Sequence, residues 1–183
     1  SDGFSFVTPK PGAIEEARST RTIIKGTQGE GFARINSMGS VVIGNTVEIG
    51  SNTAIDRGTI SNTHIGNGTK IDNLVQIGHN VVIGENCLLC GQVGIAGSSK
   101  VGDRVILGGK CAVADHINIG SDVIAAGKSG ISSNVPPKRV IMGSPAVKMA
   151  TSIESYKAVR RLPRLVAKVA ALEKIVFKNK GKG

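Results

Sequence analysis

At 183 residues the chain is long enough for one domain and an appended element, and too short for two full cores. Hydrophobic residues make up 40% and aromatics only 3%, with no Trp, one Tyr and 25 Gly, a mixture that suits small aliphatic layers with many tight corners and excludes a wide aromatic-filled core. The formal charge of +10 is uneven: residues 151–183 hold nine Lys or Arg against Glu154 and Glu173, a net of +7, and the body carries only +3. Such a tail attracts nucleic acid, anionic lipid or an acidic protein, or is simply solvated. No apolar run approaches the roughly 20 residues that span a bilayer, and no charged segment leads into an apolar one at the N-terminus. The expectation is a soluble chain with no transmembrane segment and no signal peptide. Cys87, Cys90 and Cys111 are odd in number and lie in apolar segments, which argues against a disulfide framework and for a reducing compartment.

In chain order, residues 1–40 concentrate Phe4, Phe6 and Phe32 with Pro9 and Pro11, read as a partial coil followed by a long excursion or hairpin over Ser19 to Ile35. From Val41 an aliphatic residue recurs every six positions: Ile43, Ile49, Ile55, then after a five-residue step Ile60 or Ile65, and on through Ile71, Ile77, Ile83, Leu89, Ile95, Val101, Leu107, Val113, Ile119 and Ala125 to Ile131. A period of six fits neither an amphipathic helix nor strand alternation, so the unit is a short strand plus a corner. Three units close a triangular coil of 18 residues, each coil adding about 4.8 Å of height. The register residues point into the prism, and the Gly or Asn after each takes up the unusual backbone angles of the corner. After Ser132 the repeat fades, and Pro136 and Pro137 end regular structure. Helical spacing returns with Ile153, Tyr156 and Val159 before Pro163, which is expected to start a second helix carrying Leu165, Val169, Leu172 and Val176 on one stripe. That stripe serves either as a coiled-coil seam or as a face docked on the chain's own β-helix. The expected organisation is a partial coil and excursion over 1–40, a β-helix over 41–150 and a basic helical extension over 151–183.

Three histidines carry the candidate chemistry. His79 lies two places after Ile77, outside the prism near a corner. His116 follows Val113, 36 residues beyond Ile77, so both project from one face two coils apart, roughly 10 Å along the axis. That separation suits a substrate lying along the face better than one shared metal ion. Gly97, 18 residues after His79, stacks directly above it and offers an amide to a developing oxyanion. Asp72 and Asn73, on the preceding edge, either orient His79 or bind sugar, or are ordinary corner residues. His64 is read as a surface histidine without a role. Cys87-Leu-Leu-Cys90 has C-x-x-C spacing but no second pair, and buried structural thiols are the favoured reading.

The run TAIDRGTISNTHIGNGTKIDNLVQIGHNVVIGENCLLCGQVGIAGSSKVGDRVILGG resembles the UDP-3-O-acylglucosamine N-acyltransferases of lipid A biosynthesis, a family of hexapeptide-repeat acyltransferases. IDRG, the IDN-x-x-Q-I-x-H-N stretch and VGIAGS carry the likeness, the opening SDGFSF is similar to that family's DGFGY-type segment, and the match extends from Ser1 to about Lys148. The resemblance implies an all-β, left-handed parallel β-helix with a C-terminal helical extension, winding against the general right-handed preference of parallel crossovers. It also implies His79 as general base, Asn80 as its neighbour, Gly97 as oxyanion donor, and His116 toward the phosphopantetheine of the acyl donor or the substrate. Ser98, of the VGIAGS motif, joins the substrate-binding set, and Phe4 and its loop flank the glucosamine or acyl groove. Acyl carrier protein thioester is then the co-substrate, with no bound cofactor, no metal and no nucleic-acid partner. The assembly is a homotrimer with sites in the clefts between prisms, and Arg160, Arg161, Arg164 and Lys168 dock the acidic carrier. The compartment is the cytoplasm of a bacterium, or the mitochondrial matrix or another organelle of a eukaryote.

Two features depart from the family pattern. Members usually carry an N-terminal uridine-binding domain and several earlier coils, and this sequence begins inside the helix. GKSGISS from Gly127 is small and polar where an acyl channel calls for bulkier apolar residues. Three rival readings remain beside this one. A related O-acyltransferase has Asp where Asn80 stands, a γ-type carbonic anhydrase needs three zinc histidines, two of them about five residues apart, and a silent trimeric scaffold needs none of these side chains.

Overall fold

A computed structural model describes Gly3, Phe6, Val7 and residues 19–22, 31–143 and 147–177. The chain divides into two compact units, Ser1–Ser144 and Pro145–Gly183. The first is a left-handed parallel β-helix whose three faces are parallel sheets. One face stacks β3 (Val41–Ile43), β6 (Thr63–Ile65), β9 (Val82–Ile83), β12 (Lys100–Val101) and β15 (Asn118–Ile119). The second stacks β4 (Glu48–Ile49), β7 (Lys70–Ile71), β10 (Leu88–Leu89), β13 (Ile106–Leu107), β16 (Ile124–Ala125) and β18 (Val140–Ile141). The third stacks β5 (Ala54–Ile55), β8 (Gln76–Ile77), β11 (Gly94–Ile95), β14 (Ala112–Val113) and β17 (Gly130–Ile131). Before the prism, β1 (Phe6–Val7) pairs antiparallel with β2 (Ala33–Arg34) and closes the excursion; the Arg34 guanidinium lies 5.0 Å over the Phe6 ring.

The six-residue register resolves as the spacing predicts, because each register side chain stacks on its counterpart 18 residues on, as Ile77 does on Ile95. Every register residue from Ile65 to Ile131 is buried. The five-residue step resolves in favour of Ile65, 3% exposed, over Ile60, 83% exposed. Ile43 pairs with Ile65, a separation of 22, so the first coil carries four extra residues between β5 and β6. Ile43 and Ile49 stay exposed, since their coil stacks on a neighbour on one side only.

A second inner column lies two residues before the register: Thr63, Thr69, Val75, Val81, Cys87, Val93, Ser99, Val105, Cys111, Ile117, Val123 and Ser129 are all buried. Its polar members satisfy backbone rather than solvent. Thr69 Oγ1 donates to the Gly84 carbonyl at 2.9 Å and Ser99 Oγ to Ala114 at 2.7 Å. The thiols of Cys87 and Cys111 do the same to Gly102 and Ala126, each at 3.1 Å. Cys87 and Cys111 are therefore structural, substituting for Ser or Thr, whereas Cys90, expected to be buried, stands one residue past Leu89 and is partly exposed; burial raises the Cys87 thiol above its ordinary pKa, against thiolate reactivity.

The corner chemistry differs from the sequence expectation. Positive φ falls three residues after the register, on Asn80 (61°), Asn86 (53°), Ser98 (62°) and His116 (59°) among others, and not on the glycine that follows the register residue. That glycine is there for closeness: a Cβ on Gly78 would stand 2.8 Å from the Gly97 amide nitrogen of the next coil, inside contact distance.

The second unit holds α1 (Met149–Phe177), one helix that runs through Pro163 instead of restarting there. Pro163 lacks the N–H that would bond the Val159 carbonyl, yet the flanking turns continue on both sides. None of the helix side chains is buried. Among the described residues no helix is long and apolar enough to cross a membrane.

Candidate active site

The corner after β8 carries Gly78, His79 and Asn80. The coil register fixes them: Ile77 points inward, so His79, two places on, is held at the rim, half-buried. Its Nε2 edge lies against Gly97 of the coil above. A Cβ at Gly97 would stand 2.6 Å from His79 Cε1 and Nε2 and 3.1 Å from Cδ2, so residue 97 has no room for a side chain. On the other side Gly3 is buried against the histidine, an ideal Cβ there lying 3.1 Å from His79 Cβ and from the Arg57 carbonyl. Arg34 Nη1 holds the Gly3 carbonyl at 3.3 Å. Gly3 thus lies against His79; Phe4, its neighbour in the chain, lies outside the described residues.

Hydrogen bonding sets which ring nitrogen of His79 carries the proton. His79 Nδ1 is 2.9 Å from Asn80 Oδ1. The orientation of the Asn80 amide is fixed by two groups with a single possible role each: the Thr59 backbone N–H donates to Oδ1 at 3.0 Å, and Asn80 Nδ2 donates to the Ser61 carbonyl at 3.0 Å. An amide oxygen only accepts, so His79 Nδ1 is the donor, and the Nε2 lone pair is left facing Gly97 and solvent. This is the protonation state a general base needs.

The amide above is free to meet a negative charge. Among the described residues the Gly97 N–H makes no hydrogen bond. On another edge two equivalent amides are capped by a side chain 18 residues on, Glu85 N–H by Asp103 Oδ1 at 2.9 Å and Asp103 N–H by Ser121 Oγ at 3.0 Å, whereas those of Gly91 and Gly109, like that of Gly97, carry no such cap among the described residues. Over Gly97 that place belongs to Asp115, whose carboxylate turns instead toward His116 Nδ1 at 3.4 Å. Two coils above His79 the strict equivalent is thus Asp115, and His116 sits one residue further round, exposed, with its backbone N–H on the Gly97 carbonyl at 3.2 Å. Ser98 is tied to the same corner, donating its N–H to the His79 carbonyl at 2.9 Å.

The remaining candidates are elsewhere. Asp72 and Asn73 occupy the corner after β7, where Asn73 Oδ1 accepts from the Ser51 N–H at 2.7 Å and Asp72 Oδ1 from the Asn73 N–H at 2.7 Å; within this chain neither bonds His79. His64 projects outward from β6, on another face. Among the described residues no group of three or more His, Cys, Asp or Glu is placed to hold a metal ion. A cavity of about 360 Å³ lies at the far end of the prism, between residues 129–136 and 139–143, and is lined in part by Gly130 and the small polar Ser129, Ser132 and Ser133. Sequence reasoning missed Thr59, Ser61, Gly3 and Asp115 as site residues. The extra residues after Ile55 were the available signal for the first two, since an irregular step in a strict repeat marks a loop with its own task.

The family model described as bacterial transferase hexapeptide (six repeats) matches residues 62–97, the stretch that ends on Gly97. The chain is 59% identical to a UDP-3-O-acylglucosamine N-acyltransferase of Ruegeria pomeroyi, over 97% of this chain and 49% of that protein. It is 54% identical to that of Paracoccus denitrificans, over 100% of this chain and 50% of that protein. The solved Arabidopsis UDP-N-acetylglucosamine acyltransferase superposes with a TM-score of 0.56 at 28% identity, covering 57% of this chain and 37% of that one. The chain spans about half the length of the relatives it matches. It is a hexapeptide-repeat β-helix related, over nearly its whole length, to the UDP-3-O-acylglucosamine N-acyltransferases.

Proposed function

We propose that this chain is the catalytic β-helix of an N-acyltransferase of lipid A assembly, moving an acyl group from an acyl carrier protein thioester to the 2-amine of UDP-3-O-acylglucosamine. The single observation that carries the reading is the hydrogen bond from His79 Nδ1–H to Asn80 Oδ1, which leaves Nε2 basic beside an uncapped glycine amide. The substrate amine attacks the thioester carbonyl carbon while His79 Nε2 takes its proton. An imidazole whose Nε2 lone pair is free can accept that proton in the transition state. The tetrahedral oxyanion is met by the Gly97 N–H. Collapse breaks the C–S bond, and the departing thiolate recovers the proton from His79, giving amide and free carrier thiol.

The other assignments follow from the same reading. His116 and Ser98 contact the phosphopantetheine arm or the sugar. Asp72 and Asn73, remote from His79 within one chain, serve the site of a neighbouring prism in a homotrimer, and Phe4 flanks the groove. Residues 41–150 form the transferase domain, and the basic extension over 151–183 docks the carrier protein through Arg160, Arg161, Arg164 and Lys168. Asn80 in place of Asp favours the amine-acylating branch over the hydroxyl-acylating one. The relatives are bacterial, and a cytoplasmic site of action fits an enzyme supplied by acyl carrier protein.

The test is mass-spectrometric detection of N-acylated product from UDP-3-O-acylglucosamine and an acyl carrier protein thioester, with this chain and with His79→Ala. Product that falls by about 10²–10⁴-fold in the variant supports the assignment. Equal product from both removes His79 from the mechanism.

A further inference from the structure

We infer that Thr59 and Ser61, on the four-residue insertion of the first coil, are positioning residues that select the tautomer of His79 through Asn80. The inference rests on the reading of His79 as a base and adds what sets its protonation state.

The insertion is a built loop. Regular coils bond residues 18 apart, as in Glu85 to Asp103, whereas the first coil bonds residues 22 apart, as in Asn45 N–H to Asn67 Oδ1. The surplus falls between Ile55 and Thr63 and folds back on the segment that leads into β3. Met38 N–H bonds the Thr59 carbonyl at 2.7 Å and Gly39 N–H the Gly58 carbonyl at 2.9 Å, and Arg57 Nε bonds the Gly39 carbonyl at 2.7 Å. From the other side the buried Thr63 hydroxyl donates to the Asp56 carbonyl at 2.7 Å and accepts the Asn80 N–H at 3.0 Å. The Ser61 carbonyl is wedged where side chains at Gly39 and Gly58 would overlap it, so its aim is fixed.

All of this converges on one amide. Asn80 Oδ1 receives the Thr59 hydroxyl at 2.6 Å and the Thr59 N–H at 3.0 Å, while Nδ2 donates to the Ser61 hydroxyl at 2.7 Å and the Ser61 carbonyl at 3.0 Å. Rotating the amide by half a turn would set NH₂ against the Thr59 N–H and oxygen against the Ser61 carbonyl, forfeiting the two backbone bonds and opposing like dipoles, while the two hydroxyls could only reverse their roles. The turned amide would also donate to Nδ1, moving the histidine proton to Nε2 and abolishing the base. Neither Thr59 nor Ser61 bonds His79, so their effect passes entirely through Asn80.

The test reads the tautomer and the rate separately, in this chain, by nitrogen NMR of the His79 imidazole and by turnover. The parent chain shows His79 protonated at Nδ1. In Thr59→Pro, which removes the N–H that can only donate to Asn80 Oδ1, a population protonated at Nε2 grows in, and kcat falls roughly tenfold at unchanged KM, the factor set by losing a hydrogen bond of ordinary strength. Thr59→Ser, which keeps the hydroxyl, retains the parent spectrum. A parent chain protonated at Nε2, or a Thr59→Pro variant whose tautomer is unaltered, overturns the assignment. Should the parent chain form no N-acylated product, the reading of function falls, while the nitrogen spectra still decide the role of Thr59 and Ser61.

Discussion

Two corners of the same coil show how a repeat becomes a site. Gly78-His79-Asn80 and Gly84-Glu85-Asn86 follow the same inner residue, Ile77 and Ile83, and both place Asn at positive φ, 61° and 53°. Both begin with a glycine pressed against the coil above. They part in what surrounds them. Above Glu85 the chain supplies Asp103, which caps its amide. Above His79 it supplies Gly97, whose lack of a side chain admits the ring and whose own amide is uncapped. Asn80 is gripped by the insertion after β5, and no comparable loop serves Asn86. The backbone is a constant, and the chemistry arises from one missing side chain above and four additional residues beside it.

Removing the difference above the ring has the largest expected effect. Gly97→Ala drives a methyl into His79 Cε1 and Nε2, and turnover should fall on the order of a hundredfold through misplacement of the base. Gly94→Ala, three residues earlier with nothing within 4 Å of its Cβ position, should leave turnover unchanged. Equal losses from the two variants would detach the ring's seat from catalysis.

Next comes a pair from the inner column. Thr63→Val removes a donor to the Asp56 carbonyl and the acceptor of the Asn80 backbone N–H, and Thr69→Val removes a donor to the Gly84 carbonyl and the acceptor of the Cys87 backbone N–H. Each should cost about 1–3 kcal/mol in denaturant unfolding. Only Thr63→Val should also reduce kcat, because only its hydroxyl holds Asn80; parallel losses of kcat would dissolve the distinction between the two corners.

The smallest effect belongs to an ordinary corner. The Arg104 guanidinium, 2.7 Å from Asp122, holds that carboxyl below its usual value of 3.8. A depressed native pKa stabilises the fold above the unfolded value, and the contribution is lost as pH falls through the native value. Asp122→Asn should therefore lower the melting temperature slightly at pH 7, with the difference closing below about pH 4. The pair is exposed, so salt should shrink the difference further. A gap that survives at low pH would mean that Asp122 acts by something other than charge.

The sequence made the prism legible because a six-residue period admits one closed solution. Ile65 through Ile131 are buried where the period put them, and the stacking of Gly97 on His79 follows from counting to 18. The inner column at Thr63, Cys87 and Ser99 escaped notice because its residues are chemically mixed, and small polar side chains are buried there only by bonding carbonyls of the adjacent coil. The corner glycines were assigned to backbone angle when their task is close approach between coils, a distinction invisible without the neighbour's position. Pro163 was expected to restart a helix, yet α1 runs through it, since one lost hydrogen bond is outweighed by the turns on either side.

By itself the sequence determined the repeat, its register, the height of each coil and the alignment of His79 with Gly97, because these depend on spacing along the chain. The tertiary structure alone decided that the extra residues after Ile55 return to grip Asn80, that this grip assigns the His79 proton to Nδ1, and that Asp115 leaves the Gly97 amide uncapped. Those outcomes depend on the direction in which individual donors and acceptors point, and direction exists only once the coils are stacked.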